Sequence, residues 1–107
     1  MTIKQFEKLL MEQAAKKGFG TTKDEIDVAE KIALIHSEVS EAYEAYRHKK
    51  IKGQHGFAEE LADAVLRIIH LATIYDIDLE KEMLKKLRKN KKRTWDFKKM
   101  NEGKKKN

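Results

Sequence analysis

Apolar residues recur at intervals of three and four along four stretches of the chain, which is the spacing of one face of an α-helix. No stretch alternates apolar and polar residues in the manner of a β-strand. The pattern predicts helices over about residues 2–17, 23–49 and 57–75, and a fourth helix that begins after residue 78. Because the connections are short, we expect an all-α protein, a four-helix antiparallel bundle with helices 2 and 3 as neighbours.

Local signals define the ends and faces of these helices. Thr22 and Glu25 have the spacing of a capping box at the start of helix 2, and Asp78 is suited to cap helix 4. We predict that the apolar stripe of each middle helix faces the core. The predicted inward residues are Val28, Ile32, Ile35, Val39, Ala42 and Tyr46 of helix 2, and Leu61, Ala64, Val65, Ile68, Leu71 and Ala72 of helix 3.

The composition is that of a soluble helical protein. The sequence has 107 residues, no Cys, no Pro and 39% charged residues, so disulfides and thiolate metal sites are excluded. It contains neither a run of about 18 apolar residues nor a secretory signal pattern, and we expect no membrane partner. We predict one domain over residues 1–97, a basic and flexible tail over 98–107, and a cytoplasmic location.

The charge is unevenly distributed. Residues 1–80 contain 11 Lys and Arg against 15 Asp and Glu, a net −4, whereas residues 81–107 contain 13 against 3, a net +10. A basic end on an acidic body could bind a polyanion. The alternative is that these lysines complement a helix dipole and keep the protein soluble.

Two pairs of carboxylates carry the candidate chemistry. Glu38 and Glu41, and then Glu60 and Asp63, each have i, i+3 spacing, which places both acids of a pair on one helix face. If helices 2 and 3 pack side by side, the four carboxylates converge, and such a cluster repels itself unless it holds cations. Acid pairs of this spacing are common on solvated faces, but both pairs flank an apolar stripe. A site with oxygen ligands alone favours Mg²⁺ or Mn²⁺.

These residues resemble the motif of the MazG-type all-α nucleotide pyrophosphohydrolases, which is EExxE, a spacer, and then ExxD. Here SEVSE supplies Glu38 and Glu41, and ELAD supplies Glu60 and Asp63. The apolar run AVLRIIHLA and the basic segment KNKKR also resemble the family, and the resemblance spans about residues 31–95. Ser37 stands in place of the first glutamate, as in dCTP pyrophosphatase-like branches, so no role of that glutamate is carried over.

The resemblance implies Mg²⁺-dependent hydrolysis of nucleoside triphosphates to the monophosphate and pyrophosphate, with Mn²⁺ able to substitute. The substrates would be deoxynucleotides or non-standard nucleotides, in a house-cleaning or pool-control role. All four carboxylates would bind metal, and Glu41, in preference to Glu38, would orient or deprotonate the attacking water. The family also assembles as homodimers or as tetramers made of two dimers, so a homo-oligomer is expected.

Two cations near the carboxylates have two interpretations each. Lys31 lies two turns before Glu38 on the same face, where it either contacts the substrate or is a surface lysine. Arg67 lies four residues after Asp63 and either pairs with that carboxylate or contacts the substrate. The four histidines lack the spacing of metal ligands, so no zinc site is expected.

The C-terminal third carries further candidates. Asn90 and Arg93 in KNKKR match the family's polar patch and are predicted to bind substrate. Trp95 either stacks on the base or packs against a helix end. The rival hypothesis is a non-catalytic helical bundle that binds nucleic acid through this basic third of the chain.

Overall fold

The computed structural model describes residues 1–93, and within this range the chain is entirely helical, without a β-strand. The prediction of an all-α fold with four helices is therefore confirmed. No helix in this part of the chain has the length and apolar character needed to cross a membrane. The elements are α1 (Ile3–Lys17), a 3-10 turn (Lys23–Glu25), α2 (Val28–Arg47), α3 (Phe57–Ile74) and α4 (Leu79–Lys92).

Helices α1 and α4 begin at polar caps. The hydroxyl of Thr2 accepts a hydrogen bond from the backbone N–H of Gln5, and the Gln5 side chain accepts one in return from the N–H of Thr2. The carboxylate of Asp78 accepts from the backbone N–H of Lys81 at 3.0 Å, which confirms the predicted cap. Each cap satisfies a backbone donor that has no partner inside the helix.

The predicted start of helix 2 is wrong. The helix begins at Val28, and the cap is Asp27, whose carboxylate accepts from two backbone N–H groups of the first turn. The hydroxyl of Thr22 donates instead to the Glu25 carboxylate at 3.0 Å, so this pair closes a 3-10 turn. Ile26 then has an extended backbone (φ −127°, ψ 158°), which ends the turn before the helix starts.

Helices α2 and α3 form an antiparallel hairpin, as predicted for this pair, and the hairpin is the centre of the fold. At its closed end the Tyr46 and Phe57 rings lie 5.7 Å apart, and the N–H of Phe57 donates to the carbonyl of Lys50 at 2.9 Å. Helix α1 packs on α3, while α4 contacts α1 and α3 only lightly. The hairpin therefore sets the positions of the four candidate carboxylates, which lie on α2 and α3.

The two apolar stripes do not form the core of this chain as predicted. Ala42, Ala64 and Ala72 are buried, but Val39 is 52% exposed and Val65 is 54% exposed. Alanines are the buried apolar residues of α2, and α3 adds Ile69 and Ile74 to its own buried alanines, whereas most of the larger residues of the predicted stripes are exposed. They lie on one outer apolar face, formed by Val28, Ile32, Val39, Tyr43 and Tyr46 of α2 and by Leu61, Val65 and Ile68 of α3.

Candidate metal centre

Three of the predicted carboxylates meet between α2 and α3. They are Glu38 of α2 and Glu60 and Asp63 of α3. Each contributes one carboxylate oxygen, and these three oxygens lie within 4.8 Å of one another. Glu60 is 3% exposed and Glu38 is 9% exposed, whereas Asp63 is more accessible. The close contact of the two helices at their alanine positions buries these acids, so the carboxylates occupy the space that an apolar side chain would otherwise fill.

Glu38 is the most informative member of this carboxylate cluster. Its Oε1 accepts a hydrogen bond from Nε of Arg67 at 3.2 Å, while its Oε2 is buried and has no hydrogen-bond partner. A buried carboxylate oxygen without a partner is costly and uncommon in folded proteins. The donor set, which is oxygen only and carries a buried oxygen without a partner, fits a hard divalent cation.

Glu60 has a strongly perturbed carboxyl group. Its neighbour Glu38 is the largest cause that raises the pKa of Glu60 to about 7, followed by burial and then by Glu41. His55 opposes the shift, because its Nδ1 lies 3.4 Å from Oε1 of Glu60. Without a cation, the raised pKa therefore favours the protonated form of Glu60 up to about neutral pH, and protonation reduces the repulsion among crowded acids.

Glu41 lies next to this group without joining it. The three oxygens that converge exclude Glu41, although its side chain is close enough to Glu60 to raise the pKa of that carboxyl group. Glu41 is also exposed to solvent. Three of the four predicted ligands are thus brought together, and the fourth is left as an acceptor at the edge of the cluster.

A cleft of about 450 Å³ opens beside the carboxylate cluster. Asp63 belongs to both, since it also lines the cleft together with Arg67 and Lys31. One interpretation of Arg67 was an ion pair with Asp63, and this pair is not formed. The hydrogen bond of Arg67 goes to Glu38, so it orients a carboxylate while it also faces the cleft. The other residues that line the cleft are Leu10, Gln13, Ala14, Phe19, Glu30, Leu34, Leu66 and His70.

The loop at residues 18–21 forms one wall of this cleft. Nζ of Lys31 donates to the carbonyl of Phe19 at 3.3 Å, and Nε2 of His70 donates to the carbonyl of Gly20 at 2.9 Å. Gly20 has a φ of +96°, and a Cβ at this position would lie 2.6 Å from Cγ2 of Ile26. Glycine is therefore favoured at position 20, where the loop turns back towards the side chains of Lys31 and His70.

Two histidines near the site were missed by sequence reasoning. His55 contacts Glu60, and His70 holds the loop at Gly20. The position of His55, five residues before Glu60 at the start of a helix, is a weak local signal that could have indicated the first contact. The second contact joins residues 50 positions apart, so no local pattern indicates it.

The predicted substrate residues of the C-terminal third are not placed in the cleft. Asn90 and Arg93 lie at the end of α4, and neither lines the cleft. Trp95 lies outside the described residues. The structure therefore brings Lys31 and Arg67 to the candidate site but not the KNKKR segment.

Comparisons of this chain with family models, with curated proteins and with solved structures find no match.

Proposed function

We propose that this protein is a Mg²⁺-dependent nucleotide pyrophosphohydrolase, which cleaves nucleoside triphosphates to the monophosphate and pyrophosphate. The observation that supports the proposal most is the convergence of Glu38, Glu60 and Asp63, together with the buried oxygen of Glu38 that has no hydrogen-bond partner. This acidic centre lies beside a cleft that carries the cations Lys31 and Arg67. A site for a triphosphate needs carboxylates that hold a metal ion and, next to them, cations that contact the phosphates.

The carboxylates of the site would have two separate roles in hydrolysis. Glu38, Glu60 and Asp63 would hold Mg²⁺, or Mn²⁺ in its place, and a metal held there would supply polarisation of phosphoryl oxygens and a lower pKa of bound water. Glu41 lies at the edge of the carboxylate cluster and is exposed, so we assign to it the role of the base that accepts a proton from the attacking water. Glu38 is the less suitable base, because one of its oxygens accepts a hydrogen bond from Arg67. The oxygen of the water would bond to one phosphorus of the α–β anhydride as the bond from that phosphorus to the bridging oxygen breaks. The monophosphate and pyrophosphate would then separate, and one proton of the water would pass to Glu41.

Lys31 and Arg67 would bind the phosphates from the wall of the cleft. Both already make a hydrogen bond inside the protein, Lys31 to the loop and Arg67 to Glu38. These bonds leave further donors on each side chain, because an ammonium has three N–H donors and a guanidinium has five. Substrate contact and structural support are therefore compatible at both positions.

A panel of nucleoside and deoxynucleoside triphosphates, assayed for pyrophosphate with Mg²⁺ or Mn²⁺, tests the proposal. We expect release of pyrophosphate from at least one substrate, and loss of activity in Glu41→Gln and Asp63→Asn with unchanged circular dichroism. Glu12→Gln, an exposed acid on α1, is the charge-matched control and should keep full activity. If no substrate gives pyrophosphate, or if inorganic phosphate is the only product, the proposal fails.

We also propose that two copies pair through the outer apolar face. This face exposes valines, isoleucines and tyrosines over most of the length of the hairpin, and patches of this kind mark interaction surfaces. Two hairpins joined face to face would bury the stripes that each chain leaves open, and the resemblance to MazG-type proteins implies the same homo-oligomer. A dimer of dimers would need a second surface.

Light scattering coupled to gel filtration checks this assembly. Val39→Glu with Val65→Glu should give a monomer, because two charges would be placed inside the interface. Ala33→Glu is the matched control, since Ala33 is exposed on α2 but lies outside the apolar stripe. A wild-type protein that elutes as a monomer at high concentration would rule out the pairing.

A further inference from the structure

Helix α4 presents one continuous face of positive charge. Lys81, Lys85, Arg88 and Lys92 follow one another at intervals of three and four residues, so they form a row along one side of the helix. Lys89 lies beside this row, and Lys86 lies farther around the helix, in the same groove as Lys85, Arg88, Lys89 and Lys92. Over the 11 steps from Lys81 to Lys92 the row extends for about 16 Å. We call this row, together with Lys86 and Lys89, the basic face.

The positive charge of the basic face is almost uncompensated. Nζ of Lys85 lies 3.9 Å from Oε1 of Glu82, and both side chains are mostly exposed, so this pair is weak. Among the contacts of residues 1–93, no carboxylate pairs with Lys86, Lys89 or Lys92. Together with Lys85, Arg88 and the one carboxylate of Glu82, these residues line a shallow groove of about 390 Å³. The basic face therefore retains a net positive charge.

The opposite side of α4 connects the helix to the rest of the chain. Leu79 at its start is half-buried, and α4 contacts α1 and α3. Met83 and Leu84 are each about half exposed, and Leu87 is 63% exposed, so the other helices cover the apolar side only in part. The basic face lies on the other side of α4 and is exposed to solvent.

We propose that the basic face of α4 binds the phosphate backbone of a nucleic acid. Its cations are spread along a line, as the charges of a polyanion are, and do not converge on one point as in a pocket for a single phosphate group. A lipid surface would be bound through the apolar side of the helix, which lies away from the basic face and is partly covered by contacts of α4 with α1 and α3. The acidic remainder of the chain, net −4 over residues 1–80, repels a polyanion and confines binding to this end.

The binding should not depend on base sequence. Helix α4 contains no aromatic side chain, so it has nothing on which a base could stack. Contacts to phosphate position a protein on nucleic acid but carry no direct sequence information. This activity is independent of nucleotide hydrolysis, because none of the residues of the basic face lines the cleft beside the carboxylates.

Fluorescence anisotropy with the full chain and labelled 20-mers of mixed sequence, single-stranded and duplex, tests the proposal between 50 and 200 mM salt. The logarithm of the association constant should fall with the logarithm of salt concentration, with a slope of about −0.7 per phosphate neutralised on a single strand. The variant Lys86→Gln, Lys89→Gln, Lys92→Gln should reduce this slope by about two units and weaken binding about equally for all sequences. Glutamine keeps the helix propensity of lysine.

Two matched variants separate α4 from other lysines. Lys8→Gln, Lys16→Gln, Lys17→Gln removes the same charge from exposed positions of α1 and should bind as the wild type does. Lys104→Gln, Lys105→Gln, Lys106→Gln removes it from the C-terminal end of the sequence and should cost less affinity than the α4 variant. If this last variant loses binding while the α4 variant keeps it, the assignment to α4 is overturned.

Anionic vesicles containing phosphatidylserine test whether the partner is a lipid surface and not a nucleic acid. Stronger binding to these vesicles than to the oligonucleotides would overturn the choice of partner, as would binding to one base sequence only. Pyrophosphate release measured on the same α4 variant should be unchanged, so failure of this proposal and failure of the hydrolase proposal are observed separately.

Discussion

The raised pKa of Glu60 predicts that metal affinity depends on pH near neutrality. A cation must displace the proton that Glu60 binds below its raised pKa. With a pKa of about 7, the apparent dissociation constant of the metal should rise about twofold at pH 7 and about tenfold at pH 6, relative to high pH. A carboxylate that kept the ordinary value of 4.5 would leave the affinity almost unchanged over this range.

Isothermal titration calorimetry with Mn²⁺ measures both consequences. Titrations between pH 6 and pH 8 give the affinity, and repeated titrations in buffers of different ionisation enthalpy give the number of protons released. At pH 7 about half a proton should leave for each bound metal, and at pH 6 about nine tenths. Glu12→Gln should show the wild-type profile.

Glu41→Gln tests the cause of the shift. Glu41 raises the pKa of Glu60, so its neutral replacement should move the midpoint of the pH dependence to lower pH. An affinity that is constant from pH 6 to pH 8, without proton release, would refute the assignment of Glu60 as a protonated ligand. A Glu41→Gln profile identical to that of the wild type would refute the assigned cause.

Three further predictions follow from individual contacts. Because the pKa of Glu60 is raised on folding, ionisation of its carboxyl group costs stability as pH rises from 4.5 to about 7. Without metal, Glu60→Gln should therefore have a higher Tm than the wild type at pH 8 but not below pH 4.5. With saturating Mg²⁺, the wild type should have the higher Tm at pH 8. Equal Tm values of the two metal-free proteins at pH 8 would contradict this prediction. Arg67→Gln should lower stability by about 1 kcal/mol in urea unfolding and weaken Mn²⁺ binding, whereas a role in substrate contact alone would change KM and leave metal affinity intact. Gly20→Ala should be less stable than Gly18→Ala, since both positions have positive φ but only Gly20 is crowded by a side chain. Equal midpoints of the two variants in urea unfolding would show that the loop rearranges to accommodate the added methyl group.

The sequence by itself determined the helices and the spacing of the acids. Periodicity and caps such as Asp78 are local properties, since they depend on residues within one or two turns. The i, i+3 spacing of Glu60 and Asp63 likewise placed both acids on one face before any packing was known. The start of α2 at Asp27, in place of Thr22, was missed because both residues are capable N-caps and the choice depends on the backbone at Ile26.

Only the tertiary structure decided which side of each helix lies inside. An apolar stripe identifies a face but not what covers it, and here the alanines and carboxylates face the neighbouring helix while the stripe lies outside. The hydrogen bond from Arg67 to Glu38 joins residues 29 positions apart, and it leaves the other oxygen of Glu38 buried without a partner. That oxygen depends on how closely α2 and α3 approach, and this distance is a property of packing, not of sequence period.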